Sequence, residues 1–435
     1  MFKKGGMKAL LLGCSSIGLV LTATVAAQAG GFALREQSAY GQGTSFAGIA
    51  AGGALSSMFW NPATMTQFGG LTVEGSMSAI LPYAKHKNAA GTEVVNNSGE
   101  AAVVPSSYIS YQFSDRLWLG MAVNAPFGLG VNFPSPWGGT GNFYAQDTNA
   151  ATYNFNPNIA YKLTDWLSVA VGFQAQYMWV NFQNAQGLNG PNLTLNGTGW
   201  GYGFTAGVTI TPTASTTIGI GYRSALNNKI DGTLSGGIGA STNGAINTTV
   251  NLPDILTIGL RQGITDRLTV MAGYEWSNWS RIGTPRILQS SGAAALGPTA
   301  APITLPFQYE DGHFYSIGAE YKLDPAWTIR AGLGFEKSPI TDRERTPRLP
   351  DNDRTWYSAG LSWKPAFMPG LNLDLGYSYI DVKNTPINVV AGNGWFNGLA
   401  PYVGSVDTHI HIISVGARYQ FGVKEPARVK QAYLK

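Results

Sequence analysis

Few residues of this chain could perform chemistry, and a pair of histidines is the most suggestive group. His409 and His411 alternate with Asp407, so the three side chains would share one face of a β-strand. Imidazole and carboxylate groups are zinc ligands, but His86 and His313 stand far away in sequence and no cysteine lies nearby. We therefore interpret the pair as part of a polar rim near the extracellular end of a strand. The sequence predicts no metal, no cofactor and no enzyme.

Four arginines stand on the polar side of alternating segments, where they would point into any space that those segments enclose: Arg223, Arg261, Arg330 and Arg418. A guanidinium group can bind a carboxylate with two parallel hydrogen bonds, so the four are candidate anchors for an amphiphilic ligand. Each could instead pair with an acid of the same interior face, either to stabilise the lumen or to hold a segment that lies inside it: Glu275, Glu320, Glu336 or Asp374.

The composition indicates which elements position these residues. Only 12% of the 435 residues are charged, whereas soluble chains carry about 25%, and the chain contains 56 glycines. No stretch of about 18 apolar residues follows residue 29, which excludes a bundle of membrane helices. The combination is typical of an all-β transmembrane barrel in the outer membrane of a Gram-negative bacterium.

The chain repeats a hairpin pattern that supports this class. Tight turns with Ser/Thr-Asp recur at Ser114-Asp115, Thr164-Asp165 and Thr265-Asp266, and long Gly- and Asn-rich loops separate them. After each turn apolar residues alternate with small or polar ones, which predicts one face toward lipid and one toward a lumen. A soluble sandwich would alternate too, but its outer face would carry charges. We count about fourteen strands between Gly70 and Phe421, with twelve or sixteen as alternatives.

Both ends of the chain carry processing or assembly signals. Residues 1–29 have a basic start, an apolar stretch and the cleavage pattern Ala27-Gln28-Ala29 of a secretory signal peptide. A lipoprotein box ending at Cys14 is the competing interpretation. Cleavage after Ala29 would leave no cysteine and 25 basic against 24 acidic residues, a balance that indicates no nucleic-acid partner. The last strand, Ser414–Phe421, is similar to the signal read by the barrel assembly machinery, and residues 422–435 form a basic tail.

Residues 30–69 do not alternate and are too small in side-chain volume to form a core of their own. Three motifs follow one another there: Gly31-Phe32-x-Leu34-x-Glu36-x-Ser38, then Ala47-Gly48-x-Ala50-Ala51, then Phe59-Trp60-Asn61-Pro62-Ala63. The segment resembles the amino-terminal hatch of FadL-type transporters. The resemblance implies a monomeric fourteen-stranded barrel at residues 70–421, plugged by a hatch at residues 30–69. It also implies passive inward passage of hydrophobic molecules, either fatty acids or aromatic hydrocarbons, among outer-membrane lipids. Asn61-Pro62 would place a turn in the hatch, with Ala63 after it.

The third strand should break at Asn124-Ala125-Pro126-Phe127-Gly128. Proline lacks the N–H that a closed barrel needs for its ladder, so Pro126 predicts a bulge or kink. Gly128 permits the backbone angles of a kink. FadL-type barrels have an inward kink in this strand, and the resemblance implies a gap through which cargo leaves sideways. The alternative is that these residues simply begin a loop.

Aromatic residues with intervening glycines follow the break, among them Phe133, Trp137 and Phe143. Exposed aromatics in an outer loop would form a first apolar site for cargo, and the alternative is the aromatic girdle at the membrane interface. The charged loop at residues 341–354 is expected to be solvated and internally paired. A general diffusion porin for hydrophilic solutes and a structural or adhesive barrel remain as alternative functions.

Overall fold

The computed structural model describes residues 30–137, 139–185, 190–236, 244–289, 303–396, 398 and 400–423. The predicted signal peptide lies outside these residues, as do Gly138 and all but the first two residues of the predicted tail. No helix in the described ranges is long and apolar enough to cross a membrane.

Fourteen antiparallel strands form the wall of a closed barrel in the described part of the chain. Their bounds are β1 Leu71–Asn88, β2 Ala102–Gln112, β3 Leu117–Asn124 and Gly128–Val131, β4 Thr148–Lys162, β5 Leu167–Ala185, β6 Asn192–Thr213, β7 Thr216–Arg223 and Leu226–Gly236, β8 Gly244–Leu252 and Ile255–Gly263, β9 Leu268–Ser277, β10 Gly312–Lys322, β11 Trp327–Lys337, β12 Arg354–Trp363, β13 Leu371–Val389 and β14 Tyr402–Gln420. Each strand pairs with the next, and β14 returns to β1 with Gln420 opposite Thr72. The predicted fourteen-stranded antiparallel barrel is confirmed.

Closure follows from the demand that backbone groups inside a bilayer find partners within the protein. Short turns such as Phe113–Leu117 and Leu163–Leu167, each closed by backbone hydrogen bonds, join strands at one end. In the described residues, the longer connections at the other end contain three short strands, Glu93–Val95, Arg286–Gln289 and Ile303–Thr304. On β11 the apolar residues Leu333 and Phe335 are exposed on the outer surface, whereas the charged residues Arg330 and Glu336, on the opposite face of the strand, are buried.

Residues 30–69, hereafter the amino-terminal segment, lie inside this wall. The segment contains one short α-helix, Ala39–Gln42, and three 3₁₀ turns at Ile49–Ala51, Leu55–Phe59 and Pro62–Gln67. The α-helix contacts β12 to β14, and the three turns contact β7 and β8, β1 to β3, and β4 to β6 respectively. Nearly every residue of the segment up to Thr66 is buried. The segment therefore fills the lumen and touches the wall on all sides.

Glycines of the wall make room for this backbone. A Cβ atom at Gly219 of β7 would overlap the carbonyl group of Ala50, and one at Gly332 of β11 would overlap Thr44. The segment could not lie at this depth against alanine or valine at either position.

We expect Gly219→Val to displace the amino-terminal segment without unfolding the barrel. Overpacking of this kind costs about 1–3 kcal/mol, and the segment is more easily moved than a paired strand. Liposomes that contain the variant should swell in sugar solution faster than those with the parent. Ile220→Val, a change at the adjacent lipid-facing position, is the control and should leave swelling unchanged.

Candidate functional site

The Asn-Pro-Ala motif joins the amino-terminal segment to the wall. Asn61 caps the 3₁₀ turn that begins at Pro62, and its Oδ1 accepts a hydrogen bond of 3.0 Å from the amide of Ala63. Its Nδ2 donates to the carbonyl of Ala50 at 2.7 Å and to the carbonyl of Val208 in β6 at 2.9 Å. One side chain thus binds the first 3₁₀ turn, caps the third and binds the barrel wall.

The four arginines singled out from the sequence all point inward, and each contacts the amino-terminal segment. Arg261 donates to the hydroxyl of Tyr40 at 2.6 Å, and the guanidinium of Arg330 lies 4.0 Å from the centre of the same ring. Arg418 donates to the carbonyl of Gly53 at 3.2 Å, and Arg223 to that of Phe59 at 3.0 Å.

Acids that face the lumen neutralise three of these arginines. Glu320 pairs with Arg261 at 2.6 Å and with Arg330 at 3.4 Å, and Arg330 also reaches Asp374 at 3.3 Å. Arg418 lies 3.8 Å from Glu74. Among the described residues, Arg223 has no acidic partner and donates instead to Gln174 and Asn154. These contacts agree with the alternative in which the arginines hold the segment. Glu275 and Glu336, however, pair with arginines outside this group of four, namely Arg35 and Arg354.

The third strand is interrupted at the residues that the sequence singles out. The pairing between β2 and β3 ends where Ser107 lies opposite Val123. Past this pair, the two stretches of backbone meet again only at a single bridge between Gly99 and Val131. On the other side Asn124 lies opposite Asn154, whereas Gly128 lies opposite Ala151. Residues 125–127 therefore contain one residue more than the β4 stretch that they face, which is a bulge. The wall has a gap between β2 and β3.

The amino-terminal segment occupies this gap. Ala33 forms an antiparallel bridge with Phe127, flanked by hydrogen bonds from the Leu34 amide to the Pro126 carbonyl at 2.8 Å and from the Gly128 amide to the Phe32 carbonyl at 2.9 Å.

Gln37 spans the same gap. Its Nε2 donates to the carbonyl of Ala125, in the break of β3, at 2.8 Å, and its own carbonyl accepts from the hydroxyl of Tyr108 on β2 at 2.7 Å. The segment takes the place of the missing strand pairing.

An aromatic cluster adjoins the gap between β2 and β3. Trp279, at the start of a 3₁₀ turn after β9, packs edge-on against Phe32 at 4.8 Å and against Phe127 at 5.9 Å between ring centroids. Tyr309 adds a fourth ring, 6.1 Å from Trp279. All four side chains are buried, so the cluster joins the gap to the loop end of the lumen.

A largely apolar pocket begins at this cluster. Phe32 of the amino-terminal segment and Leu129 of the second piece of β3 form part of its wall. Most of its other lining residues are aliphatic or aromatic and come from β5 to β8 and from the loops: Met178, Val180, Ile230, Val250, Ile287 and Phe307. An elongated apolar molecule would find few hydrogen-bond partners here and much surface to bury.

Two charged loop residues line the pocket, and the sequence did not single them out. Arg348 donates to the carbonyl of Gln183 at 3.2 Å and lies over the ring of Phe182, but its Nε has no partner and it makes no ion pair among the described residues. Burial lowers the pKa of Arg348 to about 10. Burial also raises the pKa of Glu344, whose Oε2 has no hydrogen-bond partner.

The loop at residues 341–354 is internally paired, as predicted, but the prediction that it is solvated is wrong for most of its residues. Arg345, Arg348, Asp351 and Arg354 are buried, because the loop folds over the barrel mouth and its guanidinium groups find carbonyl groups and acids there. A charge-rich sequence alone does not distinguish an exposed ion-paired loop from one folded inward.

The prediction of exposed loop aromatics is also wrong for two of the three residues. Phe133 and Trp137 are buried, stack with ring centroids 4.3 Å apart, and pack against His86 and Tyr402. The indole N–H of Trp137 donates to the carbonyl of Ala145, which closes the loop on itself. Phe143 is partly buried against the same core. These rings hold the loop together and offer no open surface for a first contact.

His409 and His411 lie on the outer face of β14. His411 Nδ1 is 2.8 Å from the hydroxyl of Tyr377, and the ring of His409 lies 5.0 Å from that of Tyr83. Asp407 pairs with Lys87 instead. No group of three metal-binding side chains occurs in the described residues. The two histidines belong to a band of aromatic and polar residues on the outer surface.

The fold and site together define a class, an outer-membrane β-barrel whose lumen is filled by its own amino-terminal segment. The chain belongs to the family of outer membrane transport proteins described as OMPP1/FadL/TodX, whose model matches residues 20–421.

Proteins of similar sequence support this assignment. Outer membrane protein P1 of Haemophilus influenzae strain Rd is 25% identical over 465 aligned residues, which cover 92% of this chain and 97% of the relative. The long-chain fatty acid transport protein of Escherichia coli K12 is 24% identical, with 85% and 92% covered. The protein is therefore an outer-membrane protein that crosses the membrane with many strands.

Solved structures share the fold. The crystal structure of a Pseudomonas aeruginosa FadL homologue superposes with a TM-score of 0.80 at 20% identity and covers 90% of this chain and 100% of the other. The toluene transporter TbuX of Ralstonia pickettii superposes with a TM-score of 0.65 at 20% identity, with 88% and 99% covered.

Proposed function

We propose that this protein carries hydrophobic compounds passively across the outer membrane. Cargo enters the apolar pocket beneath the loops, the amino-terminal segment acts as a movable hatch, and cargo leaves sideways through the gap between β2 and β3. The inward arginines hold the rest of the hatch in place rather than binding cargo.

One observation carries the proposal: Phe32 lines the pocket and belongs to the stretch that fills the gap in the wall. A molecule that displaces Phe32 from below the pocket must also strain the Ala33–Phe127 bridge. Binding and opening are thus coupled through one short piece of backbone.

The nature of the cargo is proposed from the lining and from the relatives. The Escherichia coli relative is named a long-chain fatty acid transport protein and the Ralstonia relative a toluene transporter, both for hydrophobic molecules. A general diffusion porin would need a wide aqueous channel, whereas buried residues of the amino-terminal segment fill this lumen.

The direct test is transport. Cells that lack their own transporter for these compounds should take up labelled oleate or toluene when they express this protein, and liposomes that contain it should not swell with sugars. Swelling without hydrophobic uptake would identify a porin and contradict the proposal.

Arg348→Met should separate charged from uncharged cargo. A charge-assisted hydrogen bond contributes about 1.5–3 kcal/mol, so we expect oleate affinity to fall by about tenfold or more while the affinity for methyl oleate stays unchanged. Equilibrium binding to the purified protein measures both values. Arg286→Met, at an exposed loop position, is the control. An equal loss for acid and ester would show that Arg348 does not contact the carboxylate.

A further inference from the structure

The first described residues of the chain are held by acidic side chains. The backbone nitrogen of Gly30 donates to Glu336 Oε1 at 3.2 Å, and that of Gly31 donates to Asp351 Oδ2 at 3.1 Å. All four residues are buried, inside the barrel and away from water. These contacts fix the start of the same stretch that seals the wall at residues 32–37.

The acids around Gly30 outnumber the guanidinium groups that face them. Arg35 pairs with Glu275, and with Glu336 at 3.0 Å, while Arg354 pairs with Asp351 and lies 3.7 Å from Glu336. Three buried carboxylates thus share two cations.

Glu36 adds to the imbalance. It is buried, interacts electrostatically with Arg35, Glu336 and Arg354, and its Oε2 has no hydrogen-bond partner in the described part of the chain. A buried carboxylate without a partner either takes up a proton or requires a nearby cation, so a further cation beside these acids would stabilise the cluster.

We propose that removal of the signal peptide supplies this cation. Hydrolysis of the Ala29–Gly30 peptide bond adds the hydroxyl of water to the Ala29 carbonyl and a proton to the Gly30 nitrogen. The new α-amino group has an ordinary pKa of about 8 and takes up a second proton at neutral pH. The nitrogen that donates to Glu336 then becomes an ammonium group, and the hydrogen bond becomes an ion pair.

The fit at Gly30 is specific to this cleavage position. A Cβ atom at Gly30 would overlap Glu336 Oε1, so any other residue there would push the carboxylate away. Gly31 has a φ of +65° and a Cβ atom there would lie 2.9 Å from Trp279. One additional residue before Gly30 would move the ammonium group by up to about 3.5 Å, beyond hydrogen-bonding reach of its present partner.

Proteolytic processing would therefore lock the hatch as well as release the protein from its signal. The uncleaved chain has a neutral amide at Gly30 and leaves the acids uncompensated. The inference rests on the predicted cleavage after Ala29 and on no particular cargo.

A double-mutant cycle tests the inference. Parent protein, a variant with serine inserted between Ala29 and Gly30, E336Q and the combined variant are purified from outer membranes, and intact mass establishes each amino terminus. We expect the insertion to speed hydrogen exchange of the amides of residues 31–37 about tenfold, a change of about 1.4 kcal/mol. In the E336Q background the insertion should add less than about twofold.

A serine inserted in the exposed turn between Asp115 and Arg116 is the matched control and should change nothing. Unchanged exchange in the first variant, or an equal acceleration with and without Glu336, would overturn the inference. So would a mature amino terminus other than Gly30.

A second measurement needs no variant. In the folded parent the Gly30 α-amine should resist an amine-acylating reagent that labels it readily after heat denaturation, because the group is buried and paired. Equal labelling of folded and denatured protein would also overturn the inference.

Discussion

Deleting Ala125 and replacing Pro126 with valine should abolish uptake while the barrel remains folded. The deletion removes the extra residue between Asn124 and Gly128, and valine restores the N–H that proline lacks. The strand then continues in register with β4, and its free edge can pair with β2.

The size of the effect follows from the ladder. About three new backbone hydrogen bonds at about 1 kcal/mol each would disfavour opening of the gap by roughly 100-fold. Initial rates of labelled oleate uptake measure the loss. A difference in migration between the unheated and the heat-denatured protein on an SDS gel shows that the barrel is folded. Pro157→Val, which changes an exposed proline of β4 outside the break, is the control. Normal uptake by the deletion variant would show that cargo leaves elsewhere.

The barrel could be predicted from the sequence because the lipid environment constrains a chain that crosses it. Every backbone group needs a partner and every second side chain faces lipid, so alternation and short turns predict the strands and their number. The Asn61-Pro62 turn followed from local hydrogen-bonding chemistry. The break at Pro126 followed from a missing donor.

The pocket and the charge cluster at Gly30 were not accessible in this way. Arg348 lies in a loop, and nothing periodic tells whether a loop folds inward or stays in water. Glu275 and Glu336 were recognised as inward acids, but their partner Arg35 is distant in sequence and comes from the amino-terminal segment. Burial of Phe133 and Trp137 likewise depends on how one loop packs against another. The pocket, these ion pairs and the burial of these rings all depend on contacts between residues distant in sequence, which local sequence patterns do not predict.

A reversible crosslink between Ala33 and Phe127 tests the central claim that the amino-terminal segment must leave the wall for cargo to pass. The two residues form a non-hydrogen-bonded antiparallel pair, because the flanking bonds join Leu34 to Pro126 and Gly128 to Phe32. Such pairs place Cα atoms about 4.5 Å apart, within the range of a disulfide. The only cysteine of the chain is Cys14 in the predicted signal peptide, so no other thiol of the predicted mature protein would compete.

The double variant A33C and F127C is compared with each single variant, which controls for loss of the Phe127 ring. Uptake of labelled oleate is measured after oxidation and again after addition of a reductant, with the fraction crosslinked determined by mass. The account predicts that oxidation reduces uptake to the level of cells without the protein, that reduction restores it to that of the single variants, and that neither treatment affects the single variants. Undiminished uptake by fully crosslinked protein would contradict the account, since cargo would then pass with the wall sealed.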